Sequence, residues 1–201
     1  GTNLANHGTI QTVDFNVTDE AGNAKQCSFD IILTDTISPI ITCPNDTAIY
    51  ADINCEATVP DYTGIIVTSD NCRSVGAIAV SQNPPPGGTL SGLNANQLVT
   101  ITANDGISST SQCQFTVNLI DTISPLVTCP GNQAINGDAN CEASVPDFSA
   151  LVVSSDNCSN TINLTYTQSP ALGSTIAGPP NIITITIEDE CGNTNSCNCD
   201  L

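Results

Sequence analysis

The feature that most constrains this chain is an ungapped internal repeat with a step of 86 residues. Asp35 to Cys72 reads DTISPIITCPNDTAIYADINCEATVPDYTGIIVTSDNC, and Asp121 to Cys158 reads DTISPLVTCPGNQAINGDANCEASVPDFSALVVSSDNC. Of these 38 positions 23 are identical, and most of the rest exchange one apolar residue for another or Ser for Thr. Self-similarity at a fixed step means that one supersecondary unit is being reused along the chain.

The second half of each unit repeats more loosely. Leu98-Val-Thr-Ile-Thr-Ala-Asn-Asp105 precedes Cys113, and Ile183-Thr-Ile-Thr-Ile-Glu-Asp189 precedes Cys197. The opening segment matches this half, with Val13-Asp-Phe-Asn-Val-Thr-Asp19 ahead of Cys27. Residues 1–35 therefore read as the tail of one domain, 36–121 as a whole domain and 122–201 as a nearly whole one. The last unit stops four residues after Cys197, where a final strand is still expected to run, so both ends read as falling inside domains.

Within a unit, Phe115, Val117 and Leu119 alternate with polar residues, as do Ile183, Ile185 and Ile187. That period of two marks half-buried strands. Pro- and Gly-rich loops at 83–88 and 177–181 separate them. Roughly seven short strands in 86 residues predict an all-β fold of tandem immunoglobulin-like β-sandwich domains. The short Asp35-Thr-Ile-Ser-Pro39 connection predicts stiff junctions and a semi-rigid rod.

Composition supports thin, cross-linked domains. The chain has 4 Phe, 3 Tyr and no Trp, too few aromatics for one large core, but 11 cysteines. No Cys-x-x-Cys pair exists and His7 is the single histidine, so a zinc site is disfavoured and an oxidising, extracellular compartment is expected. No leader-like segment opens the chain and no 18-residue apolar run spans a membrane, so an export signal is expected either elsewhere in a longer precursor or already removed.

Charge excludes whole classes of partner. Twenty acids face only Lys25 and Arg73, a net charge of −18. Such a field repels phosphate backbones and anionic lipid, so neither nucleic-acid binding nor membrane insertion is expected. Catalysis is not expected either. Glu188, Asp189 and Glu190 are the nearest thing to a hydrolase pair, but a repeated sandwich offers them no cleft. A Ser-His-Asp site would need His7 in a fragmentary domain.

The pattern D-T-x-x-P, T-C-P, C-x-A-x-V-P-D, S-D-N-C, T-x-x-D and C-x-F-x-V resembles the hyalin-repeat (HYR) domain, an immunoglobulin-like adhesion module. It is carried by Asp35 to Pro39, Cys43-Pro44, Cys55 to Asp61, Ser69 to Cys72, Asp105 and Cys113 to Val117. It recurs at Asp121 to Pro125, Cys129-Pro130, Cys141 to Asp147, Ser155 to Cys158, Asp189 and Cys197. Asp105-Gly-Ile-Ser departs from the D-A-A-G-N turn that Asp19 to Asn23 nearly keeps, and Cys191 and Cys199 are additions. Four-cysteine repeats of this type resemble those of giant bacterial surface adhesins. The resemblance implies a structural segment of a large extracellular adhesin or filament. A carbohydrate- or receptor-binding module is the alternative.

Spacing leaves three connectivities open for four cysteines. The resemblance implies Cys43–Cys113 with Cys55–Cys72 and Cys129–Cys197 with Cys141–Cys158, and Cys191–Cys199 is expected to bridge its hairpin, the alternative being a link from one of the two to another chain. In a domain of this type the incoming linker, the S-D-N-C loop and the last turn share one end. Asp35, Asp70, Asn71 and Asp105 then form one oxygen-rich set, and Asp121, Asp156, Asn157 and Asp189 another, suited to Ca²⁺. The competing reading is that these residues are ordinary turn formers. No other cofactor is required. Thr36, Thr47 and Thr122 fit a bacterial D-[ST]-aliphatic O-glycosylation pattern, and Asn16 and Asn163 fit the eukaryotic N-glycosylation sequon. The expected partners are further copies of the repeat and an extracellular surface ligand.

Overall fold

The structure, a computed structural model, describes residues 4–73, 75–107, 110–178 and 181–201. Every extended element is a β-strand, and the helical elements among the described residues are single 3-10 turns. The first two strands, β1 (Ile10–Thr18) and β2 (Ala24–Ile32), form an antiparallel hairpin. Its turn is closed by Asp19, whose carboxylate accepts from the backbone N–H and the amide of Asn23 at 2.7 Å each.

The middle repeat contributes eight strands. They are β3 (Ile40–Thr42), β4 (Thr47–Tyr50), β5 (Glu56–Thr58), β6 (Val67–Ser69), β7 (Ala79–Asn83), β8 (Thr89–Ser91), β9 (Asn96–Asn104) and β10 (Thr110–Ile120). The last repeat contributes β11 (Leu126–Thr128), β12 (Glu142–Ser144), β13 (Val153–Ser155), β14 (Thr165–Ser169), β15 (Thr175–Ala177), β16 (Ile182–Glu188) and β17 (Thr194–Asp200).

Compactness divides the chain into two units. The first holds residues 1–45, 60–86 and 98–115, and the second 46–59, 87–97 and 116–201. In the first unit β3 pairs with β6 and β7 with β9, all antiparallel. Its core is Tyr62, Ile78, Val99, Ile101, Ala103 and Phe115, with Tyr62 and Phe115 edge-on at 5.0 Å. In the second unit β5 pairs with β8, β11 with β13, and β12 with β15. Strands β14, β16 and β17 make a three-stranded sheet over a core of Val145, Phe148, Ile183, Ile185 and Cys199. The apolar alternation read from the sequence faces inward: Ile183, Ile185 and Ile187 are fully buried. Each such side chain stabilises by roughly 1.5–3 kcal/mol.

The segment around Cys43 changes sheets. β3 pairs with β6, whereas β4 runs parallel to the end of β10. Asp46 fixes that second pairing by accepting the Thr116 N–H at 2.6 Å.

Among the described residues two disulfides each close one repeat and a third joins the two repeats, every bond lying inside one compact unit. Cys43 is bonded to Cys113, Cys129 to Cys197 and Cys55 to Cys158. The third corrects two expected pairings, Cys55–Cys72 and Cys141–Cys158. Asn157 of the S-D-N-C loop donates to Asp52 O at 3.0 Å, so Cys158 lies beside the turn that carries Cys55, with 4.9 Å between their α-carbons. Cys72 and Cys141 remain thiols. The expected Cys191–Cys199 bridge does not form either. Cys191 lies in the turn after Glu188, whereas Cys199 pairs with Ile183 at the far end of the ladder. Five residues of strand from Thr194 separate Cys199 from the turn, about 17 Å, and Cys199 points into the core.

Candidate metal centres

Each unit assembles one cluster of three carboxylates. Asp35, Asp70 and Asp105 converge in the first unit and Asp121, Asp156 and Asp189 in the second, each set offering oxygens that lie within 4.8 Å of one another. The elements deliver them alike. Asp35 and Asp121 stand in the segments leading into β3 and β11, Asp70 and Asp156 follow β6 and β13, and Asp105 and Asp189 follow β9 and β16.

One oxygen of each of four carboxylates closes a local turn. Asp35 Oδ1 accepts from Ile37 N and Asp121 Oδ1 from Ile123 N, at 3.1 and 3.0 Å. Asp70 Oδ1 accepts from Cys72 N and Arg73 N, both at 2.8 Å, and Asp156 Oδ2 from Cys158 N and Ser159 N at 2.9 and 2.7 Å. The opposite oxygens, Asp35 Oδ2, Asp70 Oδ2, Asp121 Oδ2 and Asp156 Oδ1, are buried and have no hydrogen-bond partner, and so is Asn157 Oδ1. Asp35, Asp105, Asp121 and Asp189 are themselves at most 6% exposed.

Turn formation accounts for one oxygen of each of these four acids and leaves the other unexplained. A pair of like charges about 4.8 Å apart repels by roughly 3–4 kcal/mol at an effective dielectric of about 20. Three such pairs reach the order of a domain's whole stability. Buried acceptors without donors are also costly in themselves. A hard divalent cation relieves both, because carboxylate and amide oxygens are its natural ligands. The donor set fits Ca²⁺.

The two clusters differ in their surroundings. Arg73 follows the first S-D-N-C loop, with a guanidinium nitrogen 3.9 Å from where a Cβ on Gly106 would stand, beside Asp105. Ser159 holds the equivalent place in the second, buried, its hydroxyl accepting from Glu190 N at 3.2 Å. In the second cluster Asn193 adds a brace, donating to Asp189 Oδ2 at 2.8 Å and Asp121 O at 3.2 Å. Asn71 is exposed and donates to Cys72 Sγ, whereas Asn157 is half-buried and donates to Asp121 Oδ1 at 3.1 Å. Burial first, then the Asp35 and Asp70 charges, pushes the Cys72 thiol up. Burial, then Asp189 and Asp121, does the same to Cys191.

Of the remaining candidates, Thr36 and Thr122 are exposed and Thr47 is half-buried in β4. Asp189, flanked by exposed Glu188 and Glu190, is committed to its turn through Cys191 N and Asn193 N, and His7 Nδ1 accepts from Asp35 N at 3.0 Å. The sequence pointed to Asn157 as an oxygen donor but did not reveal the Asp52 and Asp138 turns or the Asn193 brace. The repeated Asp-x-Asn-Cys at 52–55 and 138–141 was the available signal.

Comparison with known proteins gives distant homology to hyalin. Hyalin of Strongylocentrotus purpuratus is 27% identical over 191 residues, covering 92% of this chain and 15% of the relative. Hyalin of Lytechinus variegatus is 29% identical over 191 residues, covering 92% of this chain and 35% of the relative. The chain thus spans about a third or less of these relatives. No family model matches it. Among solved structures, protocadherin gamma C5 EC1-3 aligns with a TM-score of 0.41 at 12% identity, over 96% of this chain and 76% of that one. Human CDH23 EC21-23 aligns with 0.41 at 13%, over 95% and 73%. The chain's own strand pairing defines the all-β fold class. No helix among the described residues is long and apolar enough to cross a membrane.

Proposed function

We propose that this chain is a segment of an extracellular adhesive array of hyalin-repeat type, built from part of one domain at 1–35, a whole one at 36–121 and a nearly whole one at 122–201. Its role is mechanical: sandwiches closed by disulfides form a stalk or filament, and each binds one Ca²⁺ where linker, loop and last turn converge. The observation that carries the cation is the duplicated carboxylate cluster with buried, unpartnered oxygens at repeat-equivalent positions. The array reading is supported by the internal repeat, the disulfides and the homology to hyalin. The exposed aromatic pair Phe15–Phe29, a platform of the kind a ligand-binding module needs, stands at positions matching Ile101 and Phe115 in the middle repeat, which are core. That favours the structural role.

Calorimetric titration with Ca²⁺ tests the cation sites. Two ions per chain are expected, with Asp70→Ala and Asp156→Ala each losing one. Equal heats from parent and variants dismiss the sites. Negative-stain microscopy of the native assembly tests the mechanical role: a thin strand or a cable supports it, and an isolated compact particle sinks it.

A further inference from the structure

The Cys55–Cys158 bond joins two successive copies of the repeat, and its geometry exists twice more in the chain as unpaired halves. Cys55 sits at φ +58° in a turn held by Asp52, whose Oδ1 accepts from Asn54 N at 2.8 Å and Glu56 N at 3.0 Å. Cys141 sits at φ +59° in the equivalent turn, with Asp138 Oδ1 accepting from Asn140 N at 2.8 Å and Glu142 N at 3.0 Å. The loop halves share one contact. Asn157 Nδ2 lies 3.4 Å from Cys158 Sγ, and Asn71 Nδ2 lies 3.2 Å from Cys72 Sγ.

The observed bond spans 103 residues, one repeat step plus 17. Its rule is turn cysteine of one copy to loop cysteine of the next. Each unpaired half also faces open space. Cys141 lines a cavity of about 430 Å³ with Ile135, Ile176 and Leu201, and Cys72 lines one of about 380 Å³ with Asn6, His7 and Arg73.

We propose that Cys72 and Cys141 are half-staples: each forms a disulfide with the complementary cysteine of another copy of this repeat, so that every junction of the array is covalently closed. The inference rests on the array reading above. In chemical terms, one thiolate attacks an external disulfide oxidant of the glutathione class and displaces one thiol. The partner thiolate then attacks the mixed disulfide and displaces the second. Two protein thiols and one oxidant disulfide give one protein disulfide and two small thiols.

The staple does not limit length. With Cys43–Cys113 and Cys129–Cys197 in place, the shortest covalent path through the chain already bypasses both loops, and Cys55–Cys158 shortens it no further. What it holds is position. It keeps the Asp52 turn against the loop that presents Asp156 and Asn157 to the cation cluster.

The test is peptide mapping of the protein isolated from its natural host without reductant, its thiols capped with N-ethylmaleimide before unfolding. Cys141 is expected in a peptide linked to an S-D-N-C-type sequence, and Cys72 in one linked to a D-x-N-C-type sequence, both lost from the capped pool. If linked species collapse to monomers on reducing electrophoresis, the partner copy is a second molecule. If their size does not change, it lies in the same polypeptide. Capped Cys72 or Cys141, a link to Cys27, Cys191 or Cys199, or the pairs Cys55–Cys72 and Cys141–Cys158 overturn the proposal. Capped thiols beside further repeat-type peptides remove the staple alone. A Cys72–Cys141 link inside one monomer removes the array reading with it.

Discussion

Asp70 and Asp156 fill the same loop position, yet their neighbours are not the same: the residue three places on is Arg73 in one copy and Ser159 in the other. A guanidinium 3.9 Å from where a Cβ on Gly106 would stand, one residue after Asp105, adds positive charge on the side of the first cluster and disfavours a cation there. If the proposed sites hold Ca²⁺, the second cluster, with no Lys or Arg in its loop and with Asn157 Oδ1 unpartnered, is expected to bind it more tightly. Arg73→Ser is expected to tighten Ca²⁺ at the first cluster several-fold and leave the second unchanged, read by calorimetry as convergence of the two affinities. Unequal affinities that persist in the variant refute that assignment.

The turn carboxylates make a separate residue-level prediction. Hydrogen bonds from Glu142 N and Asn140 N hold Asp138 below its ordinary 3.8, and those from Asn54 N and Glu56 N do so for Asp52. A carboxyl whose folded pKa is depressed stabilises the fold above its unfolded value, and that contribution is lost as pH falls through the folded one. Both turns therefore stay closed at neutral pH and loosen only below about 3.8. Carbon-13 titration of these carboxyls checks it: midpoints at or above the ordinary value contradict the hydrogen bonds.

At the scale of elements, the hairpin β1–β2 and the pair β9 and β10 share one apolar pattern with opposite burial. Phe29 is 52% exposed, whereas Phe115, at the equivalent place, is 3% exposed against Tyr62. Phe115→Ala is expected to destabilise by about 3–5 kcal/mol, and Phe29→Ala by no more than about 1 kcal/mol. Guanidinium chloride titrations followed by circular dichroism compare them, and similar losses would show that the hairpin face is covered. The same elements show what the sequence could reveal. Period-two alternation marks β9, β10 and β16 because each has one wet face and one dry face. Three-residue strands such as β3, β5 and β11 are too short to carry a period. The carboxylate clusters were legible because linker, loop and last turn share an end in this fold class. The Cys55–Cys158 bond was not, because pairing by copy depends on how a turn presents its sulfur through a positive φ, and the repeated Asp-x-Asn-Cys marks the turn without saying which copy its sulfur meets.

The whole chain, if it bears tension, does so along its shortest covalent path. Cys43–Cys113 and Cys129–Cys197 remove sequence separations of 70 and 68 residues from that path. Backbone extends by at most about 3.3–3.6 Å per residue, so the two bonds together withhold on the order of 450–500 Å of extension. They also act without load, since closing a loop of this size stabilises a domain by about 4 kcal/mol in the chain-entropy account. A thin core with few aromatics leaves little margin against force, and bonds that cap the length released by each unfolding event suit a stalk that must yield without paying out slack. Single-molecule pulling of the oxidised chain is expected to give short extensions. The same chain with dithiothreitol present is expected to lengthen by the withheld amount, while Cys55→Ser with Cys158→Ser leaves the oxidised extension unchanged because that bond lies off the shortest path. Extension that is the same with and without reductant would mean that these sulfurs do not carry the load.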